Sequence, residues 1–251
     1  MRTVDRSCDG PRSRGPRAGR PLQVGVAVVA LACAGLSACT ATEAQSPAST
    51  AEVATIAPWP ESGDLDAGTY LVTNLTVPFE ITFPDGWQSG GSGAFKEEAG
   101  ELGAAVRFAS VGHVPDHPVL VPTDACAWMS SMIKVEASPE ALVAAIMAQS
   151  ATAVTSPIEV TMGGYSGLQF DYFAKGDLDV DDCDEGHVCV LLEYHGPCTY
   201  GFWMESEPLT VRVVDLNGEL VVLALAALDP VDPLTEEARA IFDSIEFAPR
   251  G

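Results

Sequence analysis

Apolar and polar residues alternate over several separate stretches of this chain, and a period of two predicts strands. Gly68 to Phe83, rich in Thr, Val, Ile and Phe, reads as two strands broken near Val77-Pro78, because proline cannot donate to a ladder. Pro84-Asp85-Gly86 is a turn, with proline presetting φ and glycine taking a positive one, and Trp87 then enters the edge of the core. Ala104 to Val111 is a further strand, and Ile158 to Met162 pairs with Gly167 to Phe173 around Gly163-Gly164. Leu209 to Leu216 and Glu219 to Ala227 flank Asn217-Gly218, the strongest short-range hairpin signal.

Two stretches change to a helical period. Ser138-Pro139-Glu140 supplies a cap, a first-turn proline and an acid at the positive end of the dipole, and Leu142, Val143, Ile146 and Met147 form an apolar stripe. Asp232-Pro233 opens a second helix, with Ala238, Ile241, Phe242 and Ile245 spaced to pack on a sheet. The sum is an α+β fold, a mainly antiparallel sheet with two principal helices.

Ahead of these elements the pattern differs. Arg2, Arg6, Arg12, Arg14, Arg17 and Arg20 face only Asp5 and Asp9, and an uncharged apolar run follows from Leu22 to Leu36. A basic region, a short apolar region and a small-residue cleavage site are the parts of a secretory signal. The run is short for a membrane span, which needs about 20 residues. It ends in Leu36-Ser37-Ala38-Cys39, which resembles the lipobox of bacterial lipoproteins. The resemblance implies cleavage before Cys39, a diacylglyceryl group on its thiol, and anchorage at the extracytoplasmic face of the cell membrane. Two long acyl chains hold stably where one is marginal. Residues 1–38 are then a signal peptide.

Residues 39–63 are rich in Thr, Ala, Ser, Pro and Glu, with Ile56 and Trp59 as the large apolar residues, and read as a disordered tether. Residues 64–248 are expected to form one extracytoplasmic domain. Six of the 13 Lys and Arg and two of the 35 Asp and Glu precede Cys39; seven bases against 33 acids leave the mature chain near −26. That charge repels nucleic acid and anionic headgroups, favours solubility as a monomer, and draws in cations.

Four domain cysteines, Cys126, Cys183, Cys189 and Cys198, predict two disulfides in an exported chain. Three pairings are open. Proximity in the chain favours Cys183–Cys189, closing a short acidic loop, with Cys126–Cys198. The spacings lack the CxxC-like pairs of a four-cysteine zinc site.

The chemistry-bearing residues are few. Asp177, Asp179, Asp181, Asp182, Asp184 and Glu185 crowd one loop, as a calcium site requires, and Asp177-x-Asp179-x-Asp181 copies the opening of an EF-hand. The sixth position, however, is Asp182 in place of glycine, and the twelfth is Val188 in place of glutamate. A looser calcium site, and with it a calcium-responsive envelope protein, is the alternative reading. His113 and His117 bracket Val114-Pro115-Asp116, where proline opposes helical convergence on a metal, and His187 and His195 lie near the cysteines. Ser166 and Ser92 each have only half of a G-x-S-x-G elbow. The expectation is therefore a non-enzymatic module with no cofactor. Trp87, Trp128, Trp203, Tyr165, Tyr172 and Tyr200 are candidates to line a groove for an envelope protein or a small ligand.

Pro78-Phe79-Glu80-Ile81-Thr82-Phe83-Pro84-Asp85-Gly86-Trp87 resembles the opening of PsbP-like domains, shared by actinobacterial exported lipoproteins of the Lpq type. Gly163-Gly164-Tyr165-Ser166-Gly167 fits the glycine-bearing hairpin. Phe242-Asp243-Ser244-Ile245-Glu246-Phe247 fits the end of the last helix. The resemblance implies an α/β sandwich used for binding or assembly, with no catalytic residues to carry over and with the acidic cysteine loop as an insertion.

Overall fold

The computed structural model describes residues 56–111, 118–176, 178–192, 198, 202–204, 208–227 and 233–250. All belong to one of the two units into which the chain divides, Ala51–Gly251. The elements in chain order are β1 (Ala57–Pro58), β2 (Ser62–Leu65), β3 (Gly68–Val72), β4 (Phe79–Phe83), β5 (Trp87–Gly90), β6 (Gly93–Glu98) and β7 (Glu101–Val111). Then follow β8 (Val119–Pro122), β9 (Met132–Val135), α1 (Pro139–Met147), β10 (Thr152–Val154), β11 (Ile158–Met162), β12 (Tyr165–Ala174) and β13 (Val188–Leu191). The last are β14 (Phe202–Met204), β15 (Leu209–Leu216), β16 (Glu219–Ala227), α2 (Pro233–Asp243) and β17 (Glu246–Phe247).

A nine-stranded antiparallel sheet runs β10-β12-β15-β16-β7-β6-β5-β2, with β11 also on β12. A four-stranded sheet, β1-β3-β4-β17, stands apart from it, and β8-β9 and β13-β14 are two-stranded. The mainly antiparallel sheet with two helices is therefore as expected. Both faces of the large sheet are covered. On β15 and β16, Val214, Leu216, Val221, Leu223 and Leu225 join the core beneath the four-stranded sheet and α2. Their alternates Leu209, Val211, Val213, Leu220, Val222 and Ala224 join the core beneath α1. Strand periodicity alone sends one strand's side chains into two cores.

The hairpin of β15 and β16 turns at Asn217 and Gly218, both with positive φ (60° and 96°), as a two-residue primed turn demands. Ser138 caps α1 by accepting from the Ala141 N–H at 3.2 Å. Of the predicted stripe, Leu142, Val143 and Ile146 are buried, whereas Met147 is exposed in the last turn. Gly163 turns the β11–β12 hairpin at φ 59°, and a Cβ there would fall 2.5 Å from the Phe247 carbonyl oxygen, so β17 requires glycine beside it.

Two boundaries need correction. The tether does not run to Gly63, because β1 lies within that stretch, β2 begins in it, and Trp59 packs against Tyr70, Phe83 and Phe108 at 6.1, 5.8 and 5.3 Å. One indole outweighs its Pro- and Ser-rich surroundings. The last helix stops at Asp243 instead of reaching Phe247, because Glu246 and Phe247 pair with Glu80 and Phe79 of β4.

Candidate functional site

The four cysteines lie together on the α1 side of the large sheet, but not in the favoured pairing. The disulfides are Cys126–Cys183 and Cys189–Cys198, with Cα separations of 4.5 and 5.9 Å. The Asp184 N–H donates to the Cys126 carbonyl at 2.9 Å and sets Cys183 beside Cys126. Five residues further on, Cys189 has entered β13 and donates its N–H to Ala125. Nearness in sequence misleads because the intervening residues leave a pair of short 3-10 turns for a strand.

The loop at 124–127 that receives this segment is itself built on a carboxylate. Asp124 accepts from the N–H groups of Cys126 (2.9 Å) and Ala127 (3.0 Å). The Ala127 bond leads the causes that hold its pKa below the ordinary aspartate value, against the opposing effect of burial.

Two carboxylates of the acidic segment, those of Asp179 and Asp184, are given to local structure. Asp179 accepts from the Asp181 N–H at 3.2 Å. The Asp184 carboxylate accepts from the Met129 N–H at 2.8 Å, and its carbonyl accepts from Trp128 Nε1 at 2.9 Å. Asp181, Asp182 and Glu185 face solvent. Among the described residues no three His, Cys, Asp or Glu side chains converge as a metal requires. Asp177, His113, His117 and His195 lie outside the described residues, as do Leu36, Ser37, Ala38 and Cys39. The His187 ring stacks on Trp128 at 5.8 Å, with Nδ1 3.0 Å from the Glu185 carbonyl.

Of the six candidate groove-lining aromatics, the four with described side chains are core residues. Trp87, Trp128, Tyr165 and Tyr172 are all buried, while Tyr200 and the Trp203 side chain lie outside the described residues. Tyr172 donates to Gln149 Oε1 at 3.0 Å, and Gln149 Nε2 donates to the carbonyls of Cys189 and Val190. This buried relay ties α1's end to β12 and β13, and burial pushes the tyrosine pKa up. Ser166 sits on β12 opposite Thr161, and the Ser92 carbonyl accepts from Phe108 in the β5–β6 connection; both glycine-flanked serines serve strand and turn geometry.

A feature missed in the sequence is a groove of about 500 Å³ between β11 and the end of α2, lined by Met162, Gly163, Arg212, Asp243, Ser244 and Glu246 among others. Arg212 anchors its wall. Its Nε donates to Gln169 Oε1 at 2.7 Å, Nη1 to the Phe242 carbonyl at 2.9 Å, and Nη2 pairs with Asp243, while the guanidinium lies 4.2 Å over the Phe242 ring. The helix's last turn contains no basic residue, so a strand residue supplies the cation its negative end favours. The one signal is a lone arginine between Val211 and Val213 in a valine- and leucine-rich strand. Ser244 closes the same wall, accepting from the Thr82 N–H at 2.9 Å and donating to the Ile241 carbonyl at 2.6 Å. These groups form a shaped polar wall whose hydrogen bonds go inward. Beside it, β11 offers the backbone of a sheet margin, a surface suited to binding an extended segment.

No family model matches the sequence. No curated protein matches it. Among solved structures, the solution structure of cyanobacterial PsbP (CyanoP) from Synechocystis sp. PCC 6803 aligns with 72% of this chain and 94% of that chain, at 10% identity and a TM-score of 0.36. That likeness is too slight to carry a functional inference. The class defined by the described residues is a mainly antiparallel α+β domain with two disulfides.

Proposed function

We propose that this protein is a lipid-anchored, extracytoplasmic binding or assembly module of PsbP-like architecture, without a catalytic centre. The carrying observation is the combination of an Arg-rich, apolar leader ending in Leu36-Ser37-Ala38-Cys39 with a domain whose four cysteines are paired. Disulfides persist in oxidising compartments outside the cytoplasm, which supports export. The acyl chains on Cys39 hold the module at the membrane, and the acidic domain stays soluble above it as a monomer. Its occupant is an envelope protein or a small ligand, and the β11–α2 groove is the surface that suits one.

The test is fractionation and intact-mass measurement of the full chain expressed in a bacterial host. The mature protein should sediment with membranes, lack residues 1–38 and carry the mass of two or three acyl chains. Cys39→Ser should abolish the acyl mass and signal cleavage at that site. A Cys39→Ser product that is still cut before residue 39, or a wild-type product without acyl mass, refutes the anchor.

A further inference from the structure

The two disulfides differ in their access to solvent and in what they hold. Cys189 and Cys198 are fully buried, with Cys189 in a strand. Cys126 is only half-buried and Cys183 is 7% exposed, at the junction of two 3-10 turns. Besides the disulfide, the segment around Asp184 is held to the loop at 126–129 by Asp184 N–H to Cys126, Trp128 Nε1 to the Asp184 carbonyl, Met129 N–H to the Asp184 carboxylate, and the His187 ring stacked on Trp128. The segment carries no part of the large sheet.

We propose that Cys126–Cys183 is a site of thiol–disulfide exchange with a neutral or cationic dithiol, and that opening it releases the acidic segment from Trp128 while the domain stays folded. A thiolate of the dithiol attacks the Sγ of Cys126, the less buried of the two residues. The new mixed disulfide forms as the Cys126–Cys183 bond breaks, and Cys183 leaves as a thiolate that takes up a proton. The second thiol of the reductant then attacks its own sulfur in the mixed disulfide and expels Cys126 as a thiolate, which is protonated in turn. Two electrons enter the protein disulfide, and the dithiol is oxidised to its cyclic disulfide. Accessibility governs which bond reacts first, because exchange needs in-line approach of the attacking thiolate. Asp179, Asp181, Asp182, Asp184 and Glu185 surround Cys183 in sequence, and their field opposes an anionic reductant. Released, the segment withdraws the Asp184 carbonyl from Trp128, which is otherwise 1% exposed.

The experiment treats the full native chain with dithiothreitol, quenches with iodoacetamide at intervals and maps the labelled peptides. Cys126 and Cys183 should be alkylated at least about tenfold faster than Cys189 and Cys198. Tryptophan emission should move to longer wavelength at the same rate. Equal labelling of all four cysteines, or earlier labelling of Cys189 and Cys198, overturns the proposal. Glutathione at matched thiolate concentration should be slower, and added salt should narrow the gap; equal rates at low salt remove the electrostatic selectivity. Hydrogen exchange of the Cys126→Ser/Cys183→Ser variant closes the test. Amides of β15 and β16 should stay protected while those around 179–187 exchange faster, and loss of protection in both regions defeats the claim that the segment opens alone.

Discussion

On one face of the nine-stranded sheet the core is built from rings; on the other it is built from branched aliphatics and covalent bonds. Phe79 meets Phe108 at 5.0 Å and Phe247 at 5.3 Å, and Phe83 meets Trp87 at 5.6 Å, all beneath the four-stranded sheet and α2. The opposite core is dominated by valine and leucine, with Phe170 and Tyr172 as its buried rings, and is overlaid by short strands and by loops tied through cysteines. Edge-to-face rings, a four-stranded sheet and α2 give the first face enough burial to hold itself. The second face is roofed by two-stranded ladders, which are marginal alone, and uses cross-links where regular pairing is short.

The comparison can be broken at its centre. Trp87→Ala removes a fully buried indole and should cost about 4 kcal/mol in denaturant unfolding. Next, Cys189→Ser/Cys198→Ser should cost about 3 kcal/mol by the loop-entropy estimate, with the α1 side losing exchange protection before β6 and β7. If the disulfide variant proves the more damaging, or if it loosens both faces equally, the ring-built core is not the self-supporting one.

The smallest effect sharpens the first face. Burial disfavours the charge on Glu237, but hydrogen bonds from Lys96 (2.7 Å) and Trp87 (2.8 Å) outweigh it and hold the pKa below the ordinary 4.5. A folded-state pKa that is lowered contributes stability in full above the unfolded value and loses it as pH falls through the folded one. Glu237→Gln should cost about 1 kcal/mol at neutral pH and flatten the decline in stability below pH 4.5. An unchanged acid limb in pH-dependent melts shows that the pair contributes nothing to it.

Legibility followed the strength of local signals. Leu209 to Ala227 was readable to the residue, because alternation on both arms met a dipeptide that tolerates two positive φ values. Ser138-Pro139 marked α1 for a similar local reason. The β5–β6 hairpin was hidden, since its connection through Gly90, Gly91, Ser92 and Gly93 carries no strand-forming side chains. Trp59 was assigned to the tether by its neighbours' composition, whereas its place depends on rings up to 49 residues away. The cysteine pairing and the Arg212 wall are tertiary facts; each depends on which loop or helix end arrives alongside, and spacing does not encode that.

Arg212 finally bears on the order in which the molecule assembles. The carbonyl it completes belongs to Phe242, 30 residues later in the chain. Through any channel that delivers the chain N-terminus first, β15 comes out ahead of α2, so the partner for the helix's final turn is free before that turn is. A fragment beginning at Pro233 would lack that partner, and its helix would fray from the C-terminal end.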